Sequence, residues 1–219
     1  MKVVVKEDIL KANDTIADVN RKRLEEHGIF VLNMLGSPGS GKTTCLERLA
    51  GMLQGRLRMA VVEGDLATSR DAERIEALSL PTVQINTGGG CHLEAPMVSQ
   101  AIDDLPLQEI DLLVIENVGN LVCTASHKLG EHRRLVVLSA TEGDDKITKY
   151  PPMFQKTDAV ALNKVDLLEF TDFDVERAVA DLSVVNPNAP LFSLSARTGQ
   201  GFEELVQWLD RERATLFGS

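Results

Sequence analysis

The apolar run at residues 29–35 ends abruptly in Gly36-Ser37-Pro38-Gly39-Ser40-Gly41-Lys42-Thr43, and a helix-like stretch, TTCLERLAGML, follows at once. Strand, glycine-rich loop of the form G-x-x-x-x-G-K-S/T and helix, in that order, leave little freedom in how the segment folds. Glycines at 36, 39 and 41 let backbone N–H groups converge on phosphate oxygens, and the helix adds its positive N-terminal end. Lys42 neutralises the charge of a terminal phosphate, and the Thr43 hydroxyl suits Mg²⁺. Ser40 and Thr44 belong to the same phosphate-binding set.

A strand feeding a helix recurs along the chain. Short apolar runs at 29–35, 58–63, 82–86, 111–117, 135–140, 158–163 and 190–195 are separated mostly by helix-like segments. The alternation predicts an α/β fold, a mostly parallel seven-stranded sheet flanked by helices, of the P-loop NTPase kind. The second strand is expected beside the first. Residues 7–27, with Ile9, Ala12, Ile16, Val19 and Leu24 near helical spacing and Gly28 as a stop, predict an amphipathic helix that braces the domain. The expected division is an N-terminal helical segment, 1–28, and one P-loop domain, 29–219.

Charge narrows the function. Thirty-three acidic residues against 23 basic give a net charge of −10, which argues against nucleic-acid or anionic-membrane binding, so phosphate has to be caught locally. Cys45, Cys91 and Cys123 are too few for a disulfide framework, and an odd count fits reduced cytoplasm. Glu7 and Asp8 interrupt the N-terminus before any apolar signal region, and no run approaches a membrane span.

The other strand ends carry chemistry too. DLLVIEN closes in Glu116-Asn117-Val118-Gly119, which looks like the D-x-x-G element of GTPases with Glu for Asp. Glu116 there anchors Mg²⁺ directly or through water, and Gly119 lets a backbone N–H approach a γ-phosphate. Asp65, after AVVEG, is placed to hold a Mg²⁺ water or to orient the attacking water, so Lys42, Asp65 and Glu116 form the candidate catalytic set. Asn163-Lys164-Val165-Asp166 ends the sixth strand. Its Asp accepts two hydrogen bonds from guanine N1–H and N2–H₂, its Asn reaches the other edge and the Lys stem covers the ring, whereas adenine leaves Asp166 desolvated. Ser195-Ala196-Arg197 resembles the S-A-K loop whose backbone donates to guanine O6. The expected ligands are GTP or GDP with Mg²⁺.

Two thiols and an imidazole remain. Cys91-His92 follows the third strand in the loop before Pro96, which suits the first turn of the next helix. Cys123 lies four residues beyond Gly119. Two strand-end loops of one sheet bring these three side chains together, and the set suits Zn²⁺ or Ni²⁺. Without a C-x-x-C pair, buried or incidental thiols are the competing reading, and a dimer with two such sites face to face is one way to complete the shell. Cys45 reads as a core thiol, His127 and His132 as solvated imidazoles and His27 as a ring at a helix end.

GSPGSGKTT, VVEGD, TGGGCHLEA, ENVGNLVC, EGDDKITKYPPMF and NKVD, in this order, resemble the HypB family of accessory GTPases that incorporate nickel into nickel–iron hydrogenase. The match spans about residues 29–217. It implies the dimerising SIMIBI class of P-loop GTPases, with Cys91, His92 and Cys123 at the metal site of a GTP-dependent homodimer. The implied partners are the zinc-containing nickel chaperone HypA and a hydrogenase large subunit, in the cytoplasm. The implied function is a metallochaperone that couples GTP hydrolysis to nickel delivery; accessory function for urease or another metalloenzyme is the alternative. Residues 1–28 contain no cysteine and a single histidine, a departure from members with an N-terminal nickel-binding motif.

Overall fold

The structure is a computed structural model describing residues 6–64, 74 and 78–218. Its elements run α1 (Lys6–Glu26), β1 (Phe30–Gly36), α2 (Lys42–Leu53), β2 (Met59–Glu63), β3 (Thr82–Gln84), α3 (Ala95–Asp103) and β4 (Leu112–Glu116). After these come β5 (Arg133–Ser139), the short helices α4 (Lys146–Lys149) and α5 (Pro151–Phe154), β6 (Ala159–Asn163), α6 (Val175–Val185), β7 (Leu191–Ser193) and α7 (Phe202–Phe217). Each of the seven apolar runs forms a strand, and all strand pairs are parallel.

The order across the sheet is β3-β2-β4-β1-β5-β6-β7. The second strand therefore does not neighbour the first, contrary to expectation. The crossover through α2 carries β2 one position too far out, and β4, all five of whose residues are buried, fills the gap. The consequence is functional, because the tip of β4 now lies directly between the tips of β1 and β2.

Both faces of the sheet are covered, which is why the strands read as continuous apolar runs. On one face Phe30, Leu32 and Val114 meet Leu46 and Leu49 of α2 and Phe202, Leu205 and Leu209 of α7. On the other, Val31, Val62 and Leu113 meet Val98 and Ile102 of α3, and a further cluster joins β5 and β6 to α4, α5 and α6.

The helix α1 departs from its apolar reading in an instructive way. Val19 is 59% exposed and Ala12 is exposed, and the buried stripe is Asn13, Ala17, Asn20 and Leu24. The helix does not rest on an oily face alone. Asn13 Oδ1 accepts from the Ala95 N–H and its Nδ2 donates to Lys128 O, both at 2.8 Å. Asn20 Nδ2 donates to Ala95 O at 2.9 Å and to Leu129 O at 3.2 Å. Buried amides with their partners met hold position more sharply than apolar contact does. α1 is thus a brace that clasps the start of α3 to the loop between β4 and β5.

Candidate functional site

Phosphate, base and thiol residues all fall at the carboxyl ends of the strands, where open α/β sheets bind ligands. The loop after β1 is held from three sides. A Cβ on Gly36 would stand 2.5 Å from Val137 O, one on Gly41 2.3 Å from Asn163 Nδ2, and one on Gly119 2.9 Å from Pro38 N. Gly39 and Gly41 have φ of 76° and 97°, left-handed values that suit glycine. Lys42 is buried, its Nζ 3.4 Å from Ser37 O, and the Ser40 hydroxyl is buried without a hydrogen-bond partner among the described residues. This cradle, cationic and with an unsatisfied donor, fits phosphate oxygens.

Beside it, the Thr43 hydroxyl donates to Glu116 Oε1 at 2.8 Å. Glu63, at the tip of β2, pairs in register with Glu116, and both residues are 1% exposed. Two buried carboxylates next to a threonine hydroxyl fit a hard divalent cation such as Mg²⁺. The sequence reading passed over Glu63 for Asp65; the signal was available, because Glu63 is the last residue of the apolar run. Asp65 lies outside the described residues. Arg74 reaches the same helix, its guanidinium 3.0 Å from Thr44 Oγ1 and 2.7 Å from Glu47 Oε2.

At the base end, Asn163 joins two loops. Its Nδ2 donates to Ser40 O and its Oδ1 accepts from the Ala196 N–H, each at 3.0 Å. It therefore ties the phosphate loop to the Ser195-Ala196 loop. Lys164, at φ 65°, lays its stem over the phosphate loop and donates to Gly39 O at 2.7 Å. Asp166 Oδ1 is buried with no hydrogen-bond partner among the described residues, a ready acceptor for guanine N–H groups. Arg48 of α2 donates to Ala196 O and Arg197 O at 3.1 and 2.9 Å, which fixes the last loop. Ser195 supports it too, its Oγ accepting from the Thr198 N–H.

Cys91, His92 and Cys123 come together as expected, each half-buried, with one donor atom from each lying within 4.8 Å of the others. Cys91 Sγ is 3.5 Å from His92 Nδ1, and His92 Nε2 faces Glu94 Oε1 at 3.6 Å. Burial first, then the neighbouring His127, holds His92 below the ordinary imidazole value against the pull of Glu94, so the ring is neutral and able to bind a metal near pH 7. Two sulfurs and a neutral imidazole fit a thiophilic or borderline ion. Asparagines fasten the two loops: Asn117 Oδ1 accepts from the Leu93 and Val118 N–H groups, and Asn120 Oδ1 from those of Val122 and Cys123.

Cys45 is fully buried in the core; burial, then the Glu116 charge, pushes its thiol up to about 12, so it is no donor to this site. Two histidines are not the solvated rings expected. His132 is buried because it follows directly on the chain turn into β5: its Nδ1 accepts from the Val31 N–H at 2.9 Å and its Nε2 meets Glu25 of α1 at 3.2 Å. His127 is half-buried and stacks on His92. Neither contact leaves a trace in local sequence, since both partners are remote in the chain.

The family model described as the CobW/HypB/UreG nucleotide-binding domain matches residues 30–193. The hydrogenase maturation factor HypB of Azotobacter vinelandii is 50% identical over 211 residues, 96% of this chain and 70% of that protein. The probable hydrogenase maturation factor HypB of Methanocaldococcus jannaschii is 42% identical over 94% of each chain. The crystal structure of HypB from Helicobacter pylori in complex with nickel superposes with a TM-score of 0.89 at 42% identity, covering 95% of this chain and 98% of that one. The chain belongs to the CobW/HypB/UreG nucleotide-binding family, and within it to HypB.

Proposed function

We propose that this chain hydrolyses GTP to GDP and phosphate and uses its nucleotide state to govern a nickel-bearing site during maturation of nickel–iron hydrogenase. The observation that carries this reading is the shared footing of the two sites: Gly119 packs on Pro38 of the phosphate loop, and Cys123 hangs from Asn120 directly after it.

GTP lies along the strand ends, with its phosphates in the loop from Gly36 to Thr44 and its base against Asp166. Thr43, with Glu116 and Glu63 beside it, would hold Mg²⁺, which when bound would supply charge neutralisation at the β- and γ-phosphates. Lys42 adds the fixed cation, and Asp65 orients the attacking water. Phosphoryl transfer requires little else than this positioning. Nickel is the cargo, taken by Cys91, His92 and Cys123. Loss of the γ-phosphate releases Gly119, and the strand end carries that change to Cys123. The nickel-complexed relative supports nickel over zinc as cargo. A homodimer formed in the GTP state, HypA as nickel donor and the hydrogenase large subunit as acceptor complete the cycle in the cytoplasm.

The test is phosphate release from GTP by wild type and by Lys42→Ala, with circular dichroism as the check on folding. Turnover should fall by about a thousandfold or more in the variant, the scale of losing a main transition-state charge. Equal turnover in a folded variant contradicts the reading.

A further inference from the structure

The middle of β1 holds an amide among core side chains. Asn33 is fully buried, and Val31 and Leu35, its neighbours on the same face, belong to the core. Its Oδ1 accepts from Nδ2 of Asn117 at 3.3 Å. Asn117 is fully buried too and follows directly on Glu116 at the tip of β4. Two buried amides give a core little that two apolar side chains of similar size would not. What they add here is a fixed direction for the Asn117 side chain. With Nδ2 on Asn33 and its backbone N–H on Met34 O at 3.0 Å, Asn117 presents Oδ1 to two N–H groups, Leu93 at 3.3 Å and Val118 at 2.9 Å.

Leu93 is the residue after His92. Its side chain is fully buried and lies so close to Gly64 that a Cβ there would stand 2.5 Å from Leu93 Cγ and Cδ1. Gly64 follows Glu63 at the tip of β2, and its N–H donates to Glu116 O at 2.8 Å. Leu93 is therefore gripped from both strand tips that carry the buried carboxylates, its backbone by Asn117 and its side chain by Gly64. Close-packed interiors pass small displacements on, because no slack is left to absorb them. A shift of Glu63 or Glu116 toward an ion moves the seat of Leu93, and His92 moves with it.

Resting on the reading of a nickel site governed by the nucleotide, we propose that Asn117 is the positioning residue that ties His92 to the nucleotide site. It sets where the Cys91-His92 loop stands relative to Glu63 and Glu116, so metal affinity follows what those carboxylates hold. Gly119 and Cys123 transmit through one loop of the metal site. Asn117 transmits through the other, by contacts that do not pass through Cys123.

The experiment is competitive nickel titration of the full chain with GDP and with a non-hydrolysable GTP analogue. It compares wild type, Asn117→Leu, and Asn33→Leu combined with Asn117→Leu, which refills the amide pair with apolar side chains and protects the fold. A residue that only supports the fold changes nickel affinity by the same factor in both nucleotide states. The proposal expects instead that the wild-type difference between states, at least about fivefold, falls below about twofold in both variants. Circular dichroism and GDP affinity, each near wild type, report folding. Asn117→Leu added to His92→Ala should leave the difference between states as His92→Ala alone has it, because Asn117 acts through His92. An undiminished difference in the folded variants overturns the proposal, and so does a full further loss on the His92→Ala background. If wild type itself shows no difference between states, or Cys91→Ala binds nickel as wild type does, the reading of the site fails first and the proposal with it.

Discussion

Asn120 accepts the Cys123 N–H on its side-chain oxygen at 2.8 Å, while its own N–H donates to the carbonyl of Gly36, the first glycine of the phosphate loop, at 3.0 Å. A single residue thus touches both loops. Asn120→Ala removes the acceptor of two backbone donors in a half-buried turn, a loss of about 1–2 kcal/mol. Nickel affinity should drop about tenfold, and its dependence on nucleotide should shrink, with GDP affinity within about twofold of wild type. Competitive nickel titration reads both. Wild-type affinity in each nucleotide state contradicts the assignment.

Gly119 leaves no room for a side chain against the phosphate loop. A Cβ there would stand 2.9 Å from Pro38 N and 3.0 Å from Pro38 Cα, backbone atoms that yield only if the loop moves. Gly119→Ala should therefore weaken GTP binding by about tenfold or more, since a small displacement of positioning groups carries a large cost. Calorimetric titration with a non-hydrolysable GTP analogue checks this, and undiminished affinity refutes the close approach.

Asp166 offers a buried acceptor oxygen with no partner among the described residues. Asp166→Asn turns one acceptor into a donor, so guanine should lose affinity and xanthine gain, each mispaired contact costing about 1–3 kcal/mol. The comparison is turnover of GTP and of xanthosine triphosphate. Unaltered preference for GTP places the base elsewhere.

His132 makes stability depend on pH. Burial, and then the Arg21 charge, lowers its pKa from 6.5, with Glu25 opposing. The unfolded ring takes up a proton before the folded one does, so the stabilisation is present above 6.5 and is lost as pH falls through the lower folded value. Asp158, raised by burial, acts in the opposite sense at more acidic pH. Melting temperature should therefore fall more steeply from about pH 6.5 to about pH 5.5 in wild type than in His132→Asn, which keeps an acceptor for the Val31 N–H but does not titrate. Parallel curves contradict the role.

The parts of the fold that were legible in the sequence are those fixed by local pattern. The seven runs buried on both faces became strands, and the glycine, lysine and threonine spacing placed the phosphate loop, because each depends on its own segment alone. Sheet order did not follow, since nothing within β2 states that β4 will come between it and β1. The buried stripe of α1 was misread for a related reason: Asn13 and Asn20 find their partners some 75 to 115 residues away, and a polar residue on a helix ordinarily points to solvent. Cys91, His92 and Cys123 were legible as three donors on two strand-end loops, but the place of His127 beside them was not. Its stacking on His92 depends on how two loops fold toward each other.

The most direct measurement of the central claim is nickel titration of the full chain with GDP and with a non-hydrolysable GTP analogue, with mass followed by sedimentation. If GTP changes nickel affinity by some factor, nickel changes GTP affinity by the same factor. The account predicts at least about a fivefold difference in nickel affinity between the two states, with the larger mass in the GTP state, and loss of nickel binding in Cys91→Ala and Cys123→Ala. Identical nickel affinity and identical mass in both states would contradict it, leaving a GTP-binding protein whose metal site takes no part in its cycle.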